Sequence, residues 1–291
     1  MCGRFAITTD PARLAEEIHA LDETGDAGLR PPNYNVAPTT DILAVVARHD
    51  EPDRRAGAQR PGIGGDDRAT RRIRLMRWGL LPPWAKPGPD GGLPVKGPQL
   101  INARAETVTT SPAYRSAAQH KRCLIPMDGY YEWKRTAGDN GANPKRGPKT
   151  PFYFYRPDGA PLLVAGLWSV WRPGSAGRSA ATGGSVPAGR SAATGGSVPA
   201  ESPLLTCTVI TTDAVGDFAQ VHDRMPLVLG EADWDRWLDP DAPAPGDLLA
   251  ARPGIAAMAM REVSTLVNNV KNNDPQLIEP SEQGDQPVGL F

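Results

Sequence analysis

The chain has 291 residues, among them 31 glycines and 31 prolines, and 32 basic against 33 acidic side chains leave a net charge of −1. That balance excludes a global field drawing the molecule to nucleic acid, and leaves room only for a local basic groove. Three cysteines, Cys2, Cys123 and Cys207, with no Cys-x-x-Cys pair exclude a disulfide framework and a cysteine zinc site.

Glycine and proline gather in blocks that bury little apolar surface, so one folded domain is expected over residues 2–275. Disordered inserts are expected at about 49–72 and 172–203, and an unordered tail over 276–291. No stretch reaches the ~18 apolar residues that cross a bilayer, and a cytoplasmic protein is expected.

In chain order, residues 3–8 read as a short strand, and Asp10-Pro11 cap a helix whose apolar stripe is Leu14, Ile18 and Leu21. Residues 31–39 are too proline-broken to be regular, and Asp41 to Ala47 form a strand. Structure resumes at Ile73, where Ile73 to Leu80 alternate as a strand that Pro82-Pro83-Trp84 stops. Ile101 to Thr107 read as extended, with Asn102, Arg104 and Glu106 on one face.

Two strands joined by a kink cover Lys121 to Lys134, with Tyr130 and Glu132 on one face and Tyr131 and Trp133 on the other. Pro151 to Tyr155, Leu162 to Trp171 and Pro203 to Thr212 are further strands, the second apolar enough to be central. Residues 177–188 repeat letter for letter at 189–200, a polar duplication too short and unpatterned for a solenoid. Thr212 to Ala214 cap a short helix ahead of Val221 to Pro226. Glu231 to Leu238 and Asp247 to Ala251 are helices, and Arg261 to Val267 a last strand.

Chemistry points to the first residues. Methionine before a small residue is ordinarily removed, which would leave the α-amine and thiol of Cys2 side by side. An α-amine with pKa near ~7.7–8 is partly neutral at pH 7, unlike a lysine. An aldehyde meeting this 1,2-aminothiol forms an imine with nitrogen and closes through sulfur to a thiazolidine. The plainer reading, an incidental cysteine before an edge strand, stands beside it. Cys123 and Cys207 lie in apolar strands and read as inert core thiols.

Glu132 sits between aromatics, a setting that raises a carboxyl pKa and suits proton exchange near neutrality. The alternative is a solvent-facing strand glutamate paired with Lys134 or Arg104, a common arrangement. His222, in a turn with Asp223 and Arg224, is either a site group or a capping histidine. Basic and aromatic residues interleave at Arg4, Arg77-Trp78, Trp84, Arg104, Lys121-Arg122, Lys134-Arg135 and Arg224, a set able to track phosphates and stack on unpaired bases.

Six segments together resemble one family. Met1-Cys2-Gly3-Arg4-Phe5, Tyr34 to Thr39, Arg77 to Leu80, Asn102 to Thr107, Gly129 to Trp133 and His222 to Pro226 are similar, in order, to motifs of the SRAP family of abasic-site processing proteins. The resemblance implies an α+β single domain, with antiparallel sheets curled into a barrel-like core and a few peripheral helices. It also implies a monomer that binds single-stranded DNA containing an abasic site, with no metal, cofactor or membrane. Cys2 would form the thiazolidine on C1′ of the opened sugar, Asn102 would position it, Glu132 would move protons, and His222 would help open the ring. Arg4, Asn35, Pro38, Arg77, Trp78, Arg104 and Arg224 would hold phosphates or a flanking base. Weak lyase activity and self-removal of Met1 are further implications. A general hydrolase with Cys2 as nucleophile is the rival reading.

Overall fold

The computed structural model describes residues 2–28, 30–49, 69–89, 92–94, 99–135, 148–172, 203–251 and 254–281. Most of the expected insert at 49–72, and the repeat at 177–200, lie outside them.

The first half of the chain holds β1 Phe5–Ile7, α1 Pro11–Glu17, β2 Leu21–Asp22, β3 Asn33–Val36, β4 Asp41–Arg48, β5 Thr70–Trp78, β6 Asn102–Arg104 and α2 Arg115–His120. The second half holds β7 Arg122–Met127, β8 Gly129–Arg135, β9 Lys149–Tyr155, β10 Leu162–Trp171 and β11 Leu204–Asp213. It ends with β12 Arg224–Pro226, α3 Glu231–Leu238, α4 Gly246–Ala250 and β13 Ala259–Glu262.

Strands β11, β10, β7, β4 and β5 are neighbours in that order, and β5 returns to β11 through a parallel pairing of Arg77 with Thr206 and Trp78 with Cys207. Five strands thus close into a barrel, which removes their edges. The chain leaves this closure at Gly79, whose φ of 124° suits glycine, while its amide donates to Cys207 O at 2.9 Å. The expected α+β fold with a barrel-like core is what forms.

Alternation along the strands sends side chains to two cores. One face, including Leu43, Val45, Ile73, Leu124 and Ala165, packs under residues of α1, α2, α3 and α4. The other, including Ala44, Met76, Trp78, Cys123 and Val209, meets Phe5, Val36, Tyr130 and Phe154 of a second sheet. That second face is crowded: a methyl on Gly166 would lie 2.9 Å from Cys123 Sγ and 2.8 Å from Thr208 O. The second sheet runs β13-β9-β8-β1-β3. The kink after Met127 carries the chain from the barrel into it, since β7 belongs to the first sheet and β8 to the second.

Several expectations change. Leu21 is half exposed in β2, because α1 ends at Glu17 and His19 turns the chain with a φ of 51°. Residues 33–36 are a strand, since the prolines at 31, 32 and 38 lie outside it. Strand β5 starts at Thr70, three residues before the expected resumption. Extended structure from Asn102 stops at Arg104, and Glu106 sits in the turn beyond. The helical turn near 216 is Gly216–Gln220, preceded by Val215, because β11 runs on through Asp213. The last strand ends at Glu262, and Thr265–Asn268 is a helical turn that Ser264 caps. The expected tail loses its first residues, for Pro275–Ile278 is another turn with Leu277 buried.

Candidate active site

Cys2 is fully buried in the second core, beside residues of both sheets. Asn102, at the start of β6, donates from Nδ2 to the carbonyl of Cys2 at 2.8 Å. Strand β6 lies parallel to β11, with Asn102 opposite Val209, so the asparagine hangs on the barrel wall. Its backbone is held from two directions. Trp78 Nε1 donates to Ile101 O at 2.9 Å, and the Tyr114 hydroxyl donates to Asn102 O at 2.9 Å.

Glu132 projects from β8, opposite Phe152 on β9, and is 4% exposed. Burial raises its pKa; the positive amino terminus and His222 pull it part of the way down, and Asp223 adds to the rise. Pairing of Phe5 with Tyr130, and the Tyr131 amide donating to Arg4 O at 2.9 Å, bring the start of the chain alongside the strand of Glu132. The Cys2 thiol is pushed up by burial first and by Glu132 second, against the amino terminus and a hydrogen bond from the Arg4 amide.

His222 follows the turn Gly216–Gln220, and its amide donates to Phe218 O at 3.2 Å. An aromatic chain fixes that turn against the strand carrying Glu132. Tyr130 stacks on Phe154 at 4.8 Å, and Phe154 meets Phe218 edge-on at 4.9 Å. His222 Nδ1 lies 2.9 Å from the Arg224 amide nitrogen and 3.0 Å from Asp223 Oδ1, so the ring is held by its own turn. Cys2, Asn102, Glu132 and His222, distant in sequence, therefore meet in one place.

The residues expected to hold DNA do not form one patch. Arg4 donates to Asn35 Oδ1 at 2.7 Å and Val267 O at 3.0 Å, and Asn35 Nδ2 donates to the carbonyls of Val267, Asn269 and Asn272. Both fasten β1 and β3 to the 265–272 segment. Pro38 is half-buried in the turn after β3. Arg77 and Trp78, adjacent on β5, face opposite sides.

Trp78 is fully buried and tilts on Phe5 at 5.2 Å, so it cannot stack on a base. Trp84, at 61% exposure, is the accessible tryptophan of that region. Arg224 is clamped by Glu106, Asp213 and Thr211 O, whereas Arg104 is exposed. Arg122 is 2% exposed and donates to five backbone carbonyls, so it belongs to the fold.

Two unpartnered polar atoms lie in the site, one on Asn102 and one on Tyr130, which sequence reasoning did not name as a site residue. The Tyr130 hydroxyl and Asn102 Oδ1 are buried with no hydrogen-bond partner among the described residues. The alternation that pairs Tyr130 with Glu132 was the signal for the first. Among the described residues no cluster of metal-ligating side chains occurs, and no helix is long and apolar enough to cross a membrane.

A family model for SOS response associated peptidase (SRAP) matches residues 1–270. The chain is 32% identical over 281 residues to the abasic site processing protein YoqW of Bacillus subtilis, covering 96% of this chain and 99% of that one. It is 27% identical to the abasic site processing protein HMCES of Gallus gallus, over 98% of this chain and 79% of that one. A crystal structure of a protein from Bacteroides thetaiotaomicron shares the fold, with a TM-score of 0.65 at 20% identity over 96% of this chain and 100% of that one. On sequence and fold together, the chain belongs to the SRAP family of abasic site processing proteins.

Proposed function

We propose that this chain crosslinks itself to abasic sites in single-stranded DNA, through a thiazolidine between Cys2 and C1′ of the opened deoxyribose. The observation that carries the reading is the bond from Asn102 Nδ2 to the Cys2 carbonyl, which holds the chain's start against buried Glu132. Nothing in a structural role requires an N-terminal cysteine, an amide clamp and a raised carboxyl in one place.

Removal of Met1 frees the α-amine of Cys2. Nitrogen attacks the aldehyde carbon, and the carbinolamine loses water as Glu132 protonates the departing hydroxyl. That step is served by a carboxyl that holds its proton to higher pH than an exposed glutamate, which burial gives Glu132. The Glu132 carboxylate then takes the thiol proton, sulfur adds to the iminium carbon, and the ring closes with a net loss of one water. Asn102 Oδ1, buried and still without a partner, is a ready acceptor for a hydroxyl of the opened sugar. His222, at the end of the turn that Phe218 packs against Phe154, would assist ring opening. Exposed Arg104 and Trp84 are the candidates for phosphate and base, with Arg77 at the barrel closure.

The imine can also partition to β-elimination, a weak lyase activity. Against a general cysteine hydrolase stands the Cys2 thiol, which burial keeps protonated where such an enzyme needs a thiolate.

Intact mass after denaturation tests the reading. Protein incubated with a single-stranded oligonucleotide bearing one abasic site should gain the oligonucleotide mass less one water and lack Met1. A sample with Met1 blocked should gain nothing. A folded, Met1-free protein that yields no adduct would remove the proposal and return attention to amide substrates, where Cys2→Ser retaining activity would mark a hydrolase.

A further inference from the structure

Tyr130 lies two residues before Glu132 on the same face of β8, in the buried cluster that contains Cys2. The side chain is 1% exposed, and its ring lies parallel to Phe154, with 5° between the planes. Its hydroxyl has no hydrogen-bond partner among the described residues. A buried hydroxyl left unmatched costs about 1–3 kcal/mol, so a phenylalanine would serve the packing better. The groups that act on it are known: after burial, Cys2 and then Glu132 push its pKa further up. Tyr130 thus shares the strand face of the carboxyl and the buried cluster of the thiol, and burial keeps its hydroxyl protonated, a donor and never a base.

We propose that Tyr130 is a further residue of the reactive site, whose hydroxyl donates a hydrogen bond to the Cys2 sulfur as that sulfur closes on C1′. The inference rests on the crosslinking reading above. In the closing step the S–C1′ bond forms and the C=N π pair withdraws to nitrogen. The thiol proton goes to the Glu132 carboxylate, and the iminium N–H stays where it is. Tyr130 gives up no proton. A neutral thiol is a weak acceptor, and a sulfur carrying negative charge is a strong one. The Arg4 amide already donates to this sulfur, and Tyr130 adds the second donor. An interaction that strengthens only as charge develops lowers the barrier to closure.

Tyr130→Phe, which keeps the ring and its stacking, separates the two bonds of the thiazolidine. Wild type and variant, both without Met1, are mixed with the single-stranded abasic oligonucleotide and quenched in parallel. Borohydride traps the imine, and denaturation alone preserves the closed ring. The variant should form the trappable imine at the wild-type rate, close the ring about tenfold more slowly, and melt no lower than wild type. Closure within twofold of wild type overturns the inference. So does equal slowing of imine and ring, or a fall in melting temperature that accompanies both, since either marks a structural residue. If wild-type protein forms neither product, the crosslinking reading itself fails, and the role of Tyr130 with it.

Discussion

Glu132 keeps its proton to higher pH than an exposed glutamate because burial penalises the charge. Above about 4.5, the ordinary value, the unfolded chain loses this proton while the folded one retains it. The folded state then binds more protons, so this group subtracts stability as pH rises, until the folded carboxyl also ionises. Glu132→Gln removes that penalty. The variant should melt higher than wild type at pH 8, by roughly 2–4 °C for each kcal/mol relieved, with no gain near pH 4. It should form adduct about 100-fold more slowly, the usual worth of a general acid. A lower melting point at pH 8 would mean that favourable partners outweigh burial.

Asn102→Ala deletes the donor to the Cys2 carbonyl and should slow adduct formation about 10–100-fold, for about 1 kcal/mol of stability. Residue types and strand parity made much of this place legible: Tyr130 and Glu132 share a face as alternation required. Trp78 was not legible, because sequence does not say which side of a strand a closing barrel turns inward. Arg77-Trp78 reads as a basic and aromatic pair, yet closure onto β11 buries the tryptophan and leaves the arginine on the other face.

Arg122 shows how one side chain governs elements. From the first position of β7 it donates to the carbonyls of Ala118 and Gln119 in α2, and to those of Trp237, Asp239 and Ala242 in and after α3. These carbonyls lie at or beyond the ends of two helices, and one planar guanidinium gathers them. Arg122→Met should cost about 3 kcal/mol or more in chemical denaturation, with Arg122→Lys recovering less than half, since an ammonium cannot fork to five acceptors. Equal stability for Met and Arg would refute this. Strands with apolar alternation were readable at element scale, and β10 sits between β7 and β11 as its apolar run implied. Helix α2 was not readable: Tyr114 precedes it without a side-chain cap, and six residues carry too little periodicity. The turns at 265–268 and 275–278 are shorter still, and their shape comes from docking Val267 and Leu277 into a third small core.

For the whole molecule, a net charge of −1 and arginines largely engaged within the protein set the terms on which DNA can bind. Arg4 and Arg224 are committed to internal acceptors. Along β11, Arg77 pairs at Thr206 and Arg104 at Thr211, five residues apart and roughly 17 Å, with Asn102 between them opposite Val209. Such a surface supports about three phosphate contacts. For single strands that corresponds to a slope near −2 in log affinity against log salt. Binding of an uncleaved abasic strand to Cys2→Ala protein, which cannot close the ring, should give that slope, and Arg104→Ala should reduce its magnitude by about 0.7. A slope that Arg104→Ala leaves unchanged would move the phosphate contacts off this surface. A shallow slope has a mechanistic counterpart in the proposed crosslinking: when reversible attraction is weak, retention on the lesion would come from the covalent bond, and the lifetime of the complex would follow the thiazolidine rather than the salt.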